Sequence, residues 1–165
     1  MKFENRLADR GRWRADRCSI ASVLEALGTR TTFLVVRECF YGTTRFDDFV
    51  DRTGVSAPAV SRAMRMLESA GVVVRVPYQD EGSRVRDGYQ LTSAGEDLLP
   101  VLLAMIQWGD TYLQEATPPL VFVERNSGRP VKVRVSADGL DDLGPADIEV
   151  RRPVPRDLGQ QTTRS

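Results

Sequence analysis

Apolar residues between positions 45 and 71 recur at helical spacing in two short runs that a glycine separates. In the first run Phe46, Phe49 and Val50 share one face, and three aspartates occupy the others. Gly54 follows and can adopt the left-handed backbone that ends a helix and turns the chain. The pattern predicts a helix over 45–53 and a tight turn after it.

A second helix is predicted to begin after Ser56, a good N-cap residue, with Pro58 in its first turn and Gly71 after its end. The positions expected to face the core are Val60, Met64 and Leu67. The positions off this stripe are either small or long and cationic, which suits entry into a DNA major groove about 12 Å wide. They are Ala59, Ser61, Arg62 and Arg65.

Two apolar runs then predict a pair of strands at Val72–Pro77 and Tyr89–Thr92, joined by turn residues over Gln79–Gly88. Arg84 and Arg86 are expected at the tip of that loop, within reach of phosphates or a minor groove. Helix, glycine turn, helix and strand–loop–strand are the parts of a winged helix-turn-helix. We therefore predict a mainly α fold with a small β wing that binds double-stranded DNA.

Two further helices are predicted before this motif, at Ser19–Leu27 and Thr31–Phe40, with Gly28 between them. Each carries an apolar stripe, and both are expected to pack behind the second helix of the motif as its scaffold. The stripes are Ile20, Val23, Leu24 and Leu27 in the first helix, and Phe33, Leu34, Val35, Val36 and Phe40 in the second.

After the wing, Thr92 can cap a helix over about Ser93–Glu115, which Pro100 either kinks or divides. This helix is apolar over so wide an arc that it needs burial from more than one side. A second subunit is predicted to supply one of those sides, and burial within the same chain is the alternative. The predicted dimer-interface residues are Leu99, Leu102, Leu103, Ile106, Trp108 and Leu113.

The composition changes at Thr117. Short strands are predicted at Leu120–Glu124 and Val131–Val135 around an Asn126-Ser127-Gly128 turn, with a third strand at Ile148–Val150. The predicted organisation is a basic N-terminal arm over 1–17, a winged helix-turn-helix with its dimerisation helix over 18–116, a small β-rich extension over 117–152 and a disordered tail over 153–165.

The net charge is zero, so any positive surface is local: the first seventeen residues carry a net charge of +3. No apolar run approaches the ~20 residues that cross a membrane, and the charged N-terminus does not resemble a secretory signal. We therefore expect a cytoplasmic protein. The chain has no histidine, no glycine-rich nucleotide loop and no cysteine cluster, so we expect neither an enzyme nor a cofactor.

The segment from Cys18 to Leu113 resembles the HxlR family of bacterial winged-helix regulators, which are relatives of MarR-type proteins. The motifs that carry the resemblance, in order, are Cys18-Ser19-Ile20, Arg37-Glu38, Gly42, Arg45-Phe46, Val55-Ser56, Leu67-Glu68, Ala70-Gly71, Arg75 with Tyr78, Tyr89-Gln90-Leu91-Thr92, Gly95, Leu98 through Pro100, and Trp108-Gly109. The resemblance implies a homodimeric transcriptional regulator that binds an inverted repeat through the helix around Ser56–Leu67 and the wing around Arg84–Arg86.

The chain departs from the family pattern in two places. The family usually has a tryptophan shortly after Gly28, whereas a threonine stands there in the run Thr29-Arg30-Thr31-Thr32, and the space left near Thr32 could admit a small ligand. Some members carry a zinc-ribbon-like extension with cysteine knuckles. Here Ser127-Gly128 and residues 135–139 keep the glycines but lack the thiolates, so we predict a degenerate extension without a metal, since zinc needs about four ligands.

Cys18 is a candidate redox sensor, because several HxlR-family regulators sense oxidants or electrophiles through a cysteine at this position. Arg14, Arg17 and the N-terminus of the first helix would favour its thiolate. The alternative is an inert cysteine packed against its neighbours. Cys39 lies late in an apolar helix and is expected in the core.

The sequence thus predicts a sequence-specific regulator that a small effector or oxidation of Cys18 could gate. A winged helix used only for protein contacts, or as an anti-repressor, is the alternative that the neutral charge leaves open. The predicted DNA-binding residues are Arg45, Ser56, Ala57, Ala59, Ser61, Arg62, Arg65, Arg84 and Arg86.

Overall fold

A computed structural model describes residues 9, 18–79, 82, 84–114, 117–135 and 143–152. The predicted disordered tail lies outside the described residues, as does the predicted basic arm apart from Asp9. The chain divides into two compact units, one ending at Gln90 and one beginning at Leu91.

The first unit contains four helices and a strand pair. They are α1 (Ser19–Leu27), α2 (Arg30–Phe40), α3 (Phe46–Thr53), α4 (Ala57–Ser69), β1 (Val73–Tyr78) and β2 (Arg86–Leu91), of which only the last residue of β2 belongs to the second unit. This is a mainly helical fold with a small sheet, which confirms the predicted winged helix-turn-helix. The four helices lie within one residue of their predicted starts.

Local sequence explains where these helices begin and end. Thr29 and Thr32 form a capping box at the start of α2, in which each threonine hydroxyl accepts a hydrogen bond from the backbone N–H of the other. Gly54 ends α3 in the left-handed region at φ +64°, and its N–H donates to the carbonyl of Val50. Ser56 stands at the N-cap of α4, although its side chain makes no capping hydrogen bond among the described residues.

The core of the first unit lies where α2 packs against α3 and α4. The stripe predicted on α4 is buried as expected. The buried apolar residues of this unit are Leu27, Val35, Val36, Phe49, Val60, Ala63, Met64, Leu67, Val72, Val73 and Tyr89. Because one face of α4 is wholly used in this core, its opposite face is the one left for a ligand.

The prediction that the apolar stripe of α1 packs behind α4 is wrong for most of its residues. Only Leu27 is buried, whereas Ile20, Val23 and Leu24 are 71%, 42% and 58% exposed. A nine-residue helix can press only part of one face against its own unit. Its first two turns therefore present an apolar surface without a partner among the described residues.

The two strands are hydrogen-bonded neighbours, and the loop over 79–85 is short enough that they must run antiparallel. The backbone just before α3 pairs with β2 through a single bridge, between Arg45 and Gly88. Beside this bridge the Tyr89 N–H donates to the Thr44 carbonyl over 2.8 Å. A Cβ at Gly88 would stand 3.3 Å from that carbonyl oxygen, so the close approach favours glycine.

The second unit shows that Pro100 starts a new helix. In place of one helix over 93–115 there are α5 (Ser93–Glu96), a turn, and α6 (Leu99–Tyr112) with the proline in its first turn. Thr92 caps α5 as predicted, since its hydroxyl accepts from the Gly95 N–H.

The extension contains β3 (Val121–Glu124), a 3-10 turn (Pro145–Asp147) and β4 (Ile148–Arg151). β3 and β4 pair antiparallel, with Val121 opposite Arg151 and Glu124 opposite Ile148. The predicted strand at Val131–Val135 is wrong. Among the described residues of that segment, pairing with β3 is limited to one bridge between Pro130 and Val123, beside which the Val131 N–H donates to the Phe122 carbonyl over 2.8 Å. The Gln107 side chain holds the next segment, accepting from the Val133 N–H over 3.1 Å and donating to its carbonyl over 3.3 Å.

Within the described part of the chain, no single helix is long and apolar enough to cross a membrane. Helices α1 and α2 meet that test of length and composition only when taken together, as a pair bent by 83°.

Candidate nucleic-acid interface

The exposed face of α4 carries the predicted DNA-binding residues of that helix. Ser56, Ala57, Arg62 and Arg65 are exposed, and Ala59 and Ser61 are half-buried. At 100° per residue the two arginines lie at the centre of the face opposite the buried stripe. The helix carries no acidic residue before Glu68, so this face combines two cations with the positive end of the helix dipole.

The two arginines of α4 differ in their freedom. Arg65 donates from Nη1 to the Ser61 hydroxyl over 2.8 Å, which holds its guanidinium along the helix surface. Arg62 lies one turn before Arg65, is exposed, and makes no hydrogen bond or ion pair with any described residue. Arg62 is therefore available to a ligand without losing an existing contact.

The wing, defined as β1, β2 and the loop over 79–85, adds two more cations in the same unit. Arg84 is exposed in the loop, and Arg86 is exposed as the first residue of β2. The prediction that Arg86 lies at the loop tip is wrong, because β2 begins three residues earlier than the pattern indicated. Asp87 and Gly88 have turn-forming composition, yet they pair as strand residues.

Arg45 stands at the N-cap of α3 and is exposed. Its guanidinium carbon lies 4.9 Å from the centre of the Tyr78 ring, a cation–π distance. The ring therefore holds the Arg45 guanidinium beside the wing sheet. The sequence indicated Arg45 but not the part played by Tyr78.

Another arginine, Arg75 of β1, joins α4 to the wing. It donates to the two carboxylate oxygens of Glu68 over 2.6 and 3.0 Å and to Asp87 of β2 over 3.4 Å. Its guanidinium carbon also lies 5.8 Å from the centre of the Tyr89 ring. The hydrogen bond to Glu68 raises the pKa of Arg75, so the side chain stays charged. In the sequence, the only indication of this contact is an acidic residue, Glu68, late in the helix and a basic residue, Arg75, on the strand that follows Gly71.

A buried network supports the start of α3. Glu38 is 5% exposed and accepts from Arg37 over 2.6 Å and from the Thr43 hydroxyl over 3.2 Å. The Thr43 hydroxyl in turn accepts from Arg52 of α3 over 2.9 Å. The carboxylate is thus satisfied, and it links α2 to the turn and the helix that precede α4.

The two cysteines lie in different surroundings. Cys18 is a half-buried free thiol immediately before α1, and its predicted cationic neighbours Arg14 and Arg17 lie outside the described residues. Cys39, which was expected in the core, is also half-buried; desolvation of its thiol, and next the charge of Glu38, raise the pKa of Cys39 to about 12, which keeps that thiol protonated at neutral pH.

Thr32, beside which a ligand space was predicted, is fully buried. Its hydroxyl donates to the Leu27 carbonyl over 2.6 Å, so the threonine is committed to the end of α1 as well as to its capping box. In the second unit, α6 carries an open apolar groove of about 720 Å³. Its lining residues are Pro100, Val101, Ala104, Met105, Trp108, Gly109 and Leu113.

The residues predicted at a dimer interface fall on two faces of α6. Leu99, Leu102 and Leu103 are buried within the chain, and Ile106 is half-buried beside them. Trp108 and Leu113 are 57% and 69% exposed. The exposed apolar residues of this helix and its end are Val101, Met105, Trp108, Tyr112 and Leu113.

Among the described residues, no group of three or more His, Cys, Asp or Glu side chains is placed to hold a metal ion. Ser127 and Gly128 follow β3 in a turn, with Gly128 at φ +68°. Positions 136–139, which complete the predicted degenerate knuckles, lie outside the described residues.

Known proteins match this architecture. The model of the HxlR-like helix-turn-helix family matches residues 26–117. Rv3095 of Mycobacterium tuberculosis, an uncharacterised HTH-type transcriptional regulator, is 37% identical over 116 residues, which cover 70% of this chain but only 66% of Rv3095. The crystal structure of PA1607, a candidate transcription factor, has a TM-score of 0.64 at 36% identity and covers 74% of this chain and 85% of that one. PA1374 of Pseudomonas aeruginosa, also a candidate transcription factor, has a TM-score of 0.50 at 33% identity over 74% and 84% of the two chains.

Proposed function

Because the chain belongs to the HxlR-like helix-turn-helix family, we propose that it is a homodimeric transcriptional regulator that binds an inverted-repeat operator in double-stranded DNA. The observation that carries the proposal is the exposed face of α4, which bears Arg62 and Arg65 opposite a fully buried stripe. A helix of this kind fits the major groove, and the cations of the wing suit adjacent phosphates or the minor groove.

The dimer is proposed from the apolar surface that the chain leaves exposed. The residues Val101, Met105, Trp108, Tyr112 and Leu113 recur at helical spacing on α6, and α1 exposes a second apolar face. Apolar surface of this kind marks an interaction site. A second copy of the chain is the proposed partner, since a two-fold dimer places two reading helices on half-sites about 34 Å apart.

Affinity for an operator selected in vitro from random duplexes tests the DNA-binding proposal. Arg62→Ala should cost about 1–3 kcal/mol for each subunit that reads a base edge with this side chain. Arg134→Ala is the matched control, because Arg134 is exposed in the extension and lies outside the proposed interface. Equal losses from the two variants would show that only overall charge matters. An unchanged affinity for Arg62→Ala would remove this residue from the reading surface.

Sedimentation equilibrium tests the dimer. Trp108→Glu places a charge on the exposed face of α6 and should shift the chain from dimer to monomer. Val135→Glu is the control, because Val135 is fully exposed outside that face and should leave the dimer unchanged. A Trp108→Glu variant that stays dimeric would exclude this face of α6 as the interface.

The proposal also includes regulation of DNA binding, by oxidation of Cys18 or by a small ligand. Cys18 is a free, half-buried thiol, which leaves it open to an oxidant, and the groove on α6 has the volume of a small-molecule site. Release of the operator by diamide from the native chain but not from Cys18→Ser would support thiol gating. Equal release from both would exclude Cys18 as the sensor.

A further inference from the structure

Arg75 occupies the junction between the reading helix and the wing. The chain passes from α4 to β1 through Ala70, Gly71 and Val72, and Gly71 takes a left-handed conformation at φ +70°. The ion pair between Glu68 and Arg75 spans this turn, with one partner in the last turn of α4 and the other in β1. A third contact reaches Asp87 of β2, so one guanidinium joins three elements.

This contact is poorly placed to stabilise the fold. The side chains of Arg75, Glu68 and Asp87 are 49%, 25% and 51% exposed. Water screens a pair exposed to this extent and its long side chains lose entropy, so even with its forked geometry the pair should contribute only modestly to folding stability. The junction is instead packed by Leu67 and Val72, which are 0% and 5% exposed.

The contact is well placed to set the angle between α4 and the wing. Two parallel hydrogen bonds from a planar guanidinium to a carboxylate fix orientation as well as distance. A six-residue strand such as β1 extends about 20 Å, so a rotation of about ten degrees at its base moves the far end by about 3 Å. A displacement of that size exceeds the tolerance of a hydrogen bond to a phosphate.

We infer that Arg75 is a positioning residue for DNA binding: by pairing with Glu68 and Asp87 it fixes the wing, with Arg84 and Arg86, at one angle to the reading face of α4. The inference rests on the proposed function and adds a determinant of affinity that lies outside the contact surface. Arg75 itself is not required to touch DNA.

The direction in which Glu68→Gln changes the affinity for DNA distinguishes a positioning role from a purely electrostatic one. Glu68→Gln removes a negative charge from a DNA-binding unit, which by electrostatics alone should tighten binding to a polyanion. It also breaks the charged fork to Arg75, so positioning predicts that binding weakens by about fivefold or more. Asp51→Asn is the matched control, because Asp51 is exposed on α3 and its loss removes the same charge.

The experiment measures affinity of the full chain for the selected operator by fluorescence anisotropy, together with a hydroxyl-radical footprint. For Glu68→Gln we expect weaker binding, loss of protection where the wing contacts DNA, and an unchanged urea midpoint. Arg75→Lys keeps the charge but not the fork and should show the same losses. Asp51→Asn should bind as tightly as the native chain or more tightly.

If the native chain binds the operator and Glu68→Gln binds it with equal or higher affinity, the positioning role is overturned. The proposed DNA-binding function would then still stand. A large fall in the urea midpoint of Glu68→Gln would also overturn the positioning role, because the contact would then be a stabilising one. Failure of the native chain to select any operator would overturn the proposed function and this inference with it. That failure is visible without any variant.

Discussion

Replacing Phe49 by alanine should destabilise the first unit strongly. Phe49 of α3 is fully buried, and its ring makes an edge-to-face contact with Tyr89 of β2, with centroids 6.3 Å apart and planes at 80°. Loss of a fully buried phenylalanine costs about 3–5 kcal/mol, including the cavity left behind. The aromatic pair itself accounts for about 0.5–1.5 kcal/mol of this.

Urea unfolding followed by far-ultraviolet circular dichroism measures that cost. Phe46→Ala is the matched control, because Phe46 lies on the same helix but is only half-buried, and it should cost clearly less. A double-mutant cycle of Phe49→Leu with Tyr89→Leu should return a coupling of about 0.5–1.5 kcal/mol. A cost below about 1.5 kcal/mol for Phe49→Ala, or one equal to that of Phe46→Ala, would refute the packing that joins the helix-turn-helix to the wing.

Two further predictions concern the cysteines and the start of α2. Iodoacetamide at pH 8 should label Cys18 and spare Cys39, whose pKa of about 12 keeps the thiol protonated until the pH approaches that value. Mass spectrometry of the digest checks this, and equal labelling of the two cysteines at pH 8 would contradict the raised pKa of Cys39. Thr32→Val keeps the shape but removes the hydroxyl that bonds the Leu27 carbonyl and the cap, so it should cost about 1–3 kcal/mol in urea unfolding. Thr31→Val, at the half-buried neighbour, should cost less than about 0.5 kcal/mol, and equal costs would argue against the cap.

The sequence predicted the helices of the first unit well because their signals are local. The glycine after α3 and the apolar stripe of α4 depend only on spacing and on backbone freedom, and the structure shows both. The start of β2 was missed because Asp87 and Gly88 have the composition of a turn, and their pairing with β1 and the Thr44–Arg45 backbone is a tertiary effect.

Burial was harder to predict than helicity. The apolar stripes predicted on α1 and α6 are present in the structure. The pattern does not show, however, which of their residues are buried within the chain and which stay exposed. Leu102 and Leu103 are buried within the chain, whereas Trp108 and Ile20 are exposed. The fork between Glu68 and Arg75 was missed for a related reason, since ion pairs between elements require the angle at which those elements meet.

Selection of operators from a library of random DNA duplexes tests the central claim most directly. The native chain should enrich an inverted repeat whose half-sites are centred about one helical turn apart, because two α4 helices of a two-fold dimer read them. It should also bind the enriched sequence at least about a thousandfold more tightly than a scrambled duplex at physiological salt. Failure to enrich any sequence, or equal affinity for selected and scrambled DNA, would contradict a sequence-specific regulator and favour a winged helix used for protein contacts.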